Sequence, residues 1–354
     1  YMAWTQENNV SIREDNKFYY NTIYSMSYES GWYNNRKLPF NYDPEEWALK
    51  SDYYDSLVYS LEDTNEQDTV DNWRVFLHRN SYFFGSQYGR LVGIKSLASQ
   101  RVLGRFEDGA VIFNATNTLA GTVEDIEVGT GGILKTRPNE FFKSEMGHGG
   151  TQHSAFVSSQ YGHFWTDAKR GRVYQLGSTG EGLEEISSLG KKHWFRENLP
   201  FRIKKQFPDI PLEMLDNNYK GLGISMTWDD RYSRVFITKN DVILKDEYVG
   251  NVAIVDREFV LTEGDSERII TVQNTTYFTD VSWTIAYSPL TQSWLSYYSF
   301  IPNYYVPLLN FFKSGVNFGV NKGVYSHLLT NKSFQVFYGN LYPFQVEFSI
   351  QTKY

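Results

Sequence analysis

The chain has 354 residues, carries a net charge of −7 and contains no cysteine, while aromatic residues make up 17% of it. Without cysteine the chain forms no disulfide, thiolate metal site or cysteine nucleophile, and no apolar run reaches the roughly 18 to 20 residues that span a bilayer, which predicts no membrane span. Because Tyr, Phe and Trp favour half-buried strands and contact surfaces, the composition predicts a β-rich protein with large interfaces.

Residues 1–72 are predicted to form an acidic, extended arm with little core of its own. This region holds 14 acidic and 5 basic side chains, a net charge of −9, so the remainder is slightly basic. Segment 17–28 has strand-type residues, and Asp43 before Pro44 predicts the start of a short helix. An acidic stretch is usually a solvated loop, and it also repels passing nucleic acid.

Residues 73–354 are predicted to form one propeller-like domain, in which short strands alternate with turns at near-regular intervals. Segments 82–84 and 90–94 flank a glycine-bounded turn and predict a hairpin. Segments 102–106 and 110–113 predict a second hairpin with a Gly-ended loop. Since the chain does not begin with Met and ends just after a strand-like segment, we expect it to be part of a longer polypeptide.

The clearest hairpin is predicted from segments 162–165 and 172–176, which are rich in aromatic and β-branched residues. Asp167 opens the connecting turn, where its carboxylate can accept a bond from its own backbone. Gly171 ends the turn and is free to adopt positive φ. This strand, turn and strand form a unit that can be compared with the rest of the chain.

A short helix is predicted to follow this hairpin, after a glycine-rich connection. Segment 184–188 contains serines, one of which is predicted to cap the helix. The helix is expected to continue through Trp194 and Phe195. It is expected to end before Pro200, which cannot continue a helix.

Similar hairpins are predicted further along the chain: 223–228 with 234–238, a looser copy of 283–287 with 294–298, and a fourth copy within 317–325. Asp167, Asp229 and Tyr287 fall at equivalent points, at spacings of 62 and 58 residues. Repeated hairpins at such spacings are typical of a propeller, in which each blade packs against its neighbours. The predicted fold class is therefore all-β, with propeller-like antiparallel hairpins, an extended N-terminal arm and a few short helices. A β-sandwich or barrel is the alternative.

The sequence contains none of the motifs that commonly mark catalytic, cofactor or metal sites. His148 and His153 are five residues apart, which differs from the i, i+4 spacing of a zinc protease helix, and no HExxH occurs. The GxSxG, phosphate-loop and dinucleotide-binding patterns are also absent. We therefore predict no catalytic residues, no cofactor-binding residues, no metal ligands and no cofactor, and a protein that is not an enzyme.

Two pairs of adjacent acids, Glu184-Glu185 and Asp229-Asp230, raise the alternative of a glycoside hydrolase, whose two carboxyl groups converge on one bond. Neighbouring residues in a strand point to opposite faces, which favours a turn role for the second pair. Trp165 and Trp194 could stack on sugars, although core packing is the more common role. The lysine pairs of the chain lack interleaved aromatics, which disfavours a nucleic-acid stripe.

The hairpin sequences resemble those of propeller-bearing structural proteins of crAss-like, short-tailed bacteriophages that infect Bacteroidota. The resemblance rests on the segments YGHFWTDAKRGRVYQL, GLEEISSLGKKHWFRENL, GLGISMTWDDRYSRVFITK, WTIAYSPLTQSWLSYYSFIPNYYVPLLNFF and FYGNLYPFQVEF. It covers about residues 73–354 and is greatest to the muzzle, or nozzle-type, proteins at the distal end of the tail. These segments are structural, so the resemblance carries over no catalytic residue.

The resemblance implies a virion protein of the phage tail, assembled in the host cytoplasm, that guides or gates genome ejection. The implied partners are other copies of the chain in a ring, ring or hub proteins, fibres, and DNA that passes through without specific binding. A net negative charge suits such a conduit. The alternatives are a carbohydrate-binding or glycan-hydrolysing propeller on the virion surface and a non-viral bacterial repeat scaffold.

Overall fold

The computed structural model describes residues 54–60, 81–98, 101–114, 116–119, 126–129, 139–141, 149–150, 152–264, 266–308, 311–327 and 334–346. The predicted strand at 17–28, the predicted helix start at Asp43 and most of the predicted arm lie outside these residues. Contacts divide the chain into two compact units, Tyr1–Leu91 with Phe113–Asn139 and Val92–Ile112 with Glu140–Tyr354.

The described residues form short strands and only a few helical segments. The strands are β1 Ser56–Val58, β2 Ser81–Phe83, β3 Leu91–Leu97, β4 Arg101–Phe106, β5 Ala110–Asn114, β6 Thr116–Leu119, β7 Ile126–Gly129, β8 Asn139–Phe141, β9 Phe156–Ser159, β10 Gly162–Asp167, β11 Arg172–Leu176, β12 Glu184–Glu185, β13 Gly223–Asp229, β14 Arg234–Asn240, β15 Val242–Leu244, β16 Val252–Val255, β17 Glu258–Glu263, β18 Ser266–Ile270, β19 Phe278–Asp280, β20 Trp283–Ser288, β21 Ser293–Tyr298, β22 Tyr304–Pro307, β23 Phe312–Val316, β24 Gly323–Ser326, β25 Val336–Phe337 and β26 Asn340–Leu341. The α-helices are α1 Lys192–Asn198, α2 Ile203–Gln206 and α3 Leu212–Leu215, and the 3-10 turns are Ser86–Tyr88, Ile186–Ser188, Asn218–Lys220 and Asp246–Tyr248. The predicted class is confirmed: the described fold is all-β, built from antiparallel hairpins with a few short helices.

The first unit contains two small antiparallel pairs, β1 with β2 and β6 with β7. The predicted hairpin of 82–84 with 90–94 is wrong, because β2 pairs with β1 whereas β3 neighbours β4. The connection explains the difference. Gly85 and Gly89 both have positive φ and flank a 3-10 turn, so the chain leaves β2 without folding back on it.

The second unit contains a four-stranded antiparallel meander in the order β12-β11-β10-β9, and four strands is the size of a propeller blade. Strands β4 and β5 are neighbours, with the amide of Phe106 donating to the carbonyl of Gly109, which confirms the predicted Gly-ended hairpin loop. Trp165 and Tyr174, a cross-strand pair of the meander, are fully buried with Leu103 and Ile112 in one apolar cluster.

Three hairpins of this unit share one loop geometry. In each, the closing cross-strand pair is five residues apart, and the fourth loop residue has positive φ: Gly171 at 67°, Ser233 at 48° and Gln292 at 50°. A loop that ends on such a residue matches the twist of the flanking strands. The repeat is therefore present at the level of the hairpin, and the position equivalent to Asp167 and Asp229 is Ser288, one residue after the predicted Tyr287.

The hairpins β13–β14 and β20–β21 lie in one sheet of order β13-β14-β20-β21, and not in two separate blades as the spacing predicted. Between them the chain makes an excursion, residues 241–282, that carries β15 to β19 and then returns to the edge of β14. The spacing of the hairpins in the sequence could not predict this pairing, because the sequence of a strand does not specify which distant strand pairs with its edge.

The two faces of this sheet pack on different cores, as the alternation of strand side chains requires. Val235 and Ile237 join the larger apolar cluster with the meander, the helices and the excursion. Phe236, between them, faces a second cluster with Phe300 and Phe312 from the C-terminal strands. Strands β22, β23 and β24 form an antiparallel sheet there, and the predicted fourth copy at 317–325 supplies its second turn and most of β24.

Helix α1 ends before Pro200, as predicted, but the predicted serine cap is wrong. The helix begins after Lys191 with no side-chain cap. The hydroxyl of Ser187 instead accepts from the amide of Val173 at 3.2 Å, which ties the 3-10 turn to β11. Ser187 thus makes a tertiary contact, which cannot be predicted from the local capping preferences of serine.

Candidate functional site

Asp167 lies at the end of β10 with its side chain fully buried. It accepts from the amide of Arg170 at 3.1 Å and from the guanidinium of the same residue at 3.0 Å. Burial raises the pKa of Asp167, and the positive charge of Arg170 opposes that shift. These bonds within the turn confirm the predicted turn-forming role. A sugar in solution cannot reach the carboxylate in this arrangement.

Asp229 is the last residue of β13, and Asp230 is the first residue of the turn that follows it. Asp229 is fully buried and accepts from the guanidinium of Arg234 at 2.7 Å, while Asp230 is exposed and accepts from the indole of Trp228. The pair therefore does not converge on one point. Arg234 also donates to the hydroxyl of Tyr298 at 2.7 Å, so this carboxylate anchors a bond across the sheet.

Three other residues singled out from the sequence, Glu185, Trp165 and Trp194, have packing or structural contacts. Glu185 forms an ion pair with Arg172 at 3.3 Å, between β12 and β11. Trp165 is core, and Trp194 lies in an aromatic cluster with Phe195 and Trp283. Neither indole is a free, flat platform, which agrees with the packing interpretation.

Histidines do not assemble into a metal site in the described part of the chain, where no group of three potential ligands comes together. His148 lies outside the described residues. The Nδ1 atom of His153 lies 3.0 Å from the carbonyl of Val92, and His163 is bonded to the hydroxyl of Ser158 at 2.8 Å. None of the helices in the described ranges is long and apolar enough to cross a membrane.

Exposed apolar side chains are concentrated at the C-terminal end of the second unit. Eleven of the twenty-four exposed large hydrophobic residues of the described chain fall within 306–346: Val306, Leu308, Phe311, Phe318, Val320, Val324, Phe334, Val336, Leu341, Phe344 and Val346. We call this set the C-terminal apolar surface. Val320, Phe334 and Phe344 are 101%, 93% and 78% exposed. Such a concentration of apolar residues is typical of a protein contact surface.

Four residues of this set, Val306, Val324, Val336 and Leu341, lie in β22, β24, β25 and β26, and a buried network lies beside these strands. The hydroxyl of Ser314 is bonded to Nε2 of His327 at 2.5 Å and to the hydroxyl of Tyr338 at 2.7 Å. The ring of His327 stacks on Phe312 and lies against Phe300. These bonds and ring contacts fix the buried residues around Ser314.

A polar cleft of about 270 Å³ lies where β13, β22 and the 3-10 turn Asn218–Lys220 meet. Its lining includes Asp216, Asn217, Asn218, Tyr219, Ser225 and Tyr304, and no lysine or arginine. No sequence motif marks these residues. The available signal was the run of Asp and Asn at 216–218 before a glycine, which looks like an ordinary turn.

The comparisons with known proteins identify no family for this chain: no family model and no curated protein sequence matches it. A solved structure described as "Crystal structure of Nidogen/Laminin Complex" is similar over 73% of this chain and 84% of its own, at 9% identity and a TM-score of 0.24. At that identity and TM-score the likeness supports no inference about fold or function.

Proposed function

We propose that this protein is a structural subunit of a bacteriophage tail, of the muzzle or nozzle type, that assembles with further copies of itself in a ring around the DNA exit channel. The observation that carries the proposal is the C-terminal apolar surface. Covering exposed apolar area contributes about 25 cal/mol per Å², which favours association with other protein surfaces. The resemblance to crAss-like phage tail proteins supports a place in the virion, with ring or hub proteins and fibres as further partners.

The charge of the chain is consistent with a role in guiding DNA during ejection. The net charge is −7, and its acidic part lies in residues 1–72. Nucleic-acid binding is dominated by Lys and Arg contacts to phosphate, so an acidic conduit surface lets DNA pass without being held. In this proposal the subunit is made in the host cytoplasm and acts in the finished particle.

Self-association tests the proposal directly. Mass photometry and light scattering should show oligomers of the purified chain that grow with concentration. Phe334→Asp and Phe344→Asp place a charge on the C-terminal apolar surface and should shift the protein to monomer. Because both side chains are exposed, the melting temperature of the monomer should change little.

A matched control is Leu290→Asp, which alters an apolar residue that is 67% exposed at the tip of the β20–β21 hairpin. This variant should assemble like the unsubstituted chain. A chain that stays monomeric at every concentration, or that assembles equally well with both phenylalanines replaced, contradicts the proposed role of this surface. Labelling the subunit in micrographs of intact particles then tests its position in the tail.

A further inference from the structure

We propose that a basic surface formed by helices α1 and α2 binds an acidic segment, residues 61–72, of a second copy of the chain. This inference rests on the self-association proposed above, and it names a surface and a partner segment that are separate from the C-terminal apolar surface. It follows from unpaired positive charges on the two helices, from the rigid support beneath them, and from an equal negative charge elsewhere in the same sequence.

Positive charge is concentrated in residues 191–205, which include α1 and most of α2. This segment holds six basic side chains and one acidic side chain, a net charge of +5 within a chain whose net charge is −7. We call its six cations the α1–α2 basic surface: Lys191, Lys192, Arg196, Arg202, Lys204 and Lys205. Four of the six are exposed, and Lys191 and Arg202 are half-buried.

None of these six cations forms an ion pair with a carboxylate of the described residues. The contrast is with the cations that are paired there: Arg101, Lys169, Arg170, Arg172, Arg234, Lys239 and Arg268. Lys191 donates to the hydroxyl of Tyr297 at 3.0 Å, and Arg202 donates to the side-chain oxygen of Asn198 at 2.7 Å, so both have neutral partners. Like charges that share a surface repel one another, and an anion that covers them relieves this repulsion.

The exposed cations of each helix lie opposite its buried residues. Lys192 and Arg196 are four positions apart, which places them on one side of α1, whereas Phe195 and Leu199 are buried. In α2 the buried residue is Ile203, and the two lysines that follow it are exposed. The helices therefore pack through apolar side chains and present their charges to solvent.

The combined positive potential is felt by the buried Lys239. Burial lowers the pKa of Lys239, the carboxylate of Asp241 opposes that shift, and the positive charges of Arg202 and Lys205 add to it. Two cations of the surface thus act on the same point of the fold. This agrees with their placement on one face.

The support of this surface is rigid. Gln206, at the end of α2, donates to the carbonyl of Leu244 at 2.8 Å and accepts from its amide at 2.8 Å. The amide of Arg202 donates to Asp241 at 2.7 Å, and its guanidinium bonds Asn198 at the end of α1. The positions of the two helices are therefore fixed before a partner arrives, which lowers the entropic cost of binding.

Segment 61–72, LEDTNEQDTVDN, carries the matching negative charge. It holds five acidic and no basic side chains, a net charge of −5 against the +5 of residues 191–205. This segment lies outside the described residues and is chosen for its charge. Since every copy carries both segments, the contact joins two different surfaces of two copies. Such heterologous contacts close rings, whereas a self-complementary surface gives a dimer.

A nucleic acid fits this surface less well than an acidic polypeptide does. The net charge of the chain is −7, and residues 1–72 carry −9, which repels phosphates at low salt. Single-stranded nucleic acids also stack their bases on free aromatic rings, but the ring of Trp194 in α1 lies against those of Trp283 and Tyr297. An acidic polypeptide needs no such ring.

The test measures binding of a fluorescein-labelled peptide of residues 61–72 to the full chain carrying Phe334→Asp and Phe344→Asp. These two substitutions remove association through the C-terminal apolar surface from the measurement. By fluorescence anisotropy, the peptide should bind with a dissociation constant on the order of 100 µM at low salt. Raising the salt from about 0.01 M to about 0.15 M should weaken binding at least about fivefold, because salt screens exposed charges.

Lys204→Glu with Lys205→Glu should weaken binding of the peptide about tenfold without lowering the melting temperature, because both side chains are exposed. The matched control is Lys220→Glu with Lys322→Glu, which changes the net charge equally at two exposed lysines outside the surface and should bind the peptide as before. A peptide with lysine in place of its five acids should prefer the Lys204→Glu, Lys205→Glu variant over the chain without these changes. This exchange of charge separates a direct contact from a structural effect.

Absence of peptide binding at about millimolar protein and low salt overturns the proposal. Equal weakening by the surface variant and its control also overturns it. So does a DNA duplex that binds more tightly than the peptide and is released by Lys204→Glu with Lys205→Glu. None of these outcomes bears on association through Phe334 and Phe344. Conversely, a chain that does not associate through those residues leaves the peptide measurement unchanged.

Discussion

The ammonium group of Lys239 lies 2.6 Å from the carboxylate of Asp241, and both side chains are almost completely excluded from solvent. Lys239 also donates to the carbonyls of Asn198 and Pro200 at 2.8 Å. Asp241 accepts from the amide of Arg202 at 2.7 Å. The pair therefore joins the segment between α1 and α2 to the sheet at the point where the excursion begins.

Asp241→Asn is expected to destabilise the fold by about 3–5 kcal/mol, because it leaves the buried charge of Lys239 without its counterion. Lys239→Met should cost less, since Asp241 keeps its bonds from backbone amides. Urea denaturation measures both changes. The control is Asp246→Asn on an exposed 3-10 turn, which should change stability by less than about 0.5 kcal/mol. An unchanged midpoint for Asp241→Asn would contradict this assignment.

Acidification is expected to destabilise the protein through His327. Burial, together with the positive charge of Arg234, lowers the pKa of His327 to about 4. An unfolded histidine titrates near 6.5, so between about pH 6.5 and 4 the unfolded state binds a proton that the folded state does not. The free energy of unfolding should therefore fall as the pH drops through this window, by at most roughly 3 kcal/mol from this group.

His327→Gln isolates that contribution, because glutamine keeps a polar partner for Ser314 and does not titrate. Its unfolding free energy should depend less steeply on pH between 6.5 and 4 than that of the unsubstituted chain. His163, whose pKa burial also lowers, titrates in both proteins and cancels in the comparison. Parallel curves for the two proteins would show that His327 is not the responsible group.

Gly171→Ala is expected to be more harmful than Gly182→Ala, although the two glycines have φ of 67° and 68°. Alanine in this region costs about 1–2 kcal/mol at either site. A Cβ on Gly171 would also lie 2.7 Å from the Cα of Arg196, whereas Gly182 faces open space. We expect a further loss of about 1–3 kcal/mol for Gly171→Ala from this contact. The free energy of unfolding of both variants is measured by thermal unfolding. Equal losses of stability would mean that helix α1 moves away from the new Cβ without a cost in free energy.

Asp229→Asn is expected to destabilise the protein by about 1.5–3 kcal/mol, because it weakens a charged bond to Arg234 in a buried setting. Its exposed neighbour supplies the control: Asp230→Asn should stay within about 0.5 kcal/mol of the unsubstituted chain. The measurement is again the urea midpoint. If Asp230→Asn proved the more harmful change, the assignment of Asp229 as the structural member of the pair would fail.

Features that depend on neighbouring residues were predictable from the sequence. The hairpin around Gly171 was predicted because glycine has no Cβ to oppose positive φ. Ser233 and Gln292 also have positive φ, but their side chains do not favour it. The length of the loop imposes this conformation on them. The all-β class and the three hairpins therefore follow from local pattern, whereas the shared loop geometry required the structure.

Features that join distant segments were not predictable. The cleft brings together Asn218, Ser225 and Tyr304, which come from a turn and two strands and share no motif. The buried pair of Lys239 and Asp241 looks in the sequence like two ordinary charged residues at the end of a strand. A charged residue in a sequence is by default predicted to be exposed to solvent. Only the packing of the segment between α1 and α2 over this pair reverses that interpretation.

The excursion between β14 and β20 also has a kinetic consequence. Thr238 and Thr284 are opposite each other in adjacent strands, with hydroxyls 2.7 Å apart, yet 46 positions separate them along the chain. The hairpins on either side close four-residue loops and can form within microseconds. The two hairpins can pair only after the long loop between them has closed. Loop closure lowers the conformational entropy of the chain before the pairing of β14 with β20 stabilises the sheet. Completion of this sheet is therefore expected to be the slow step of folding.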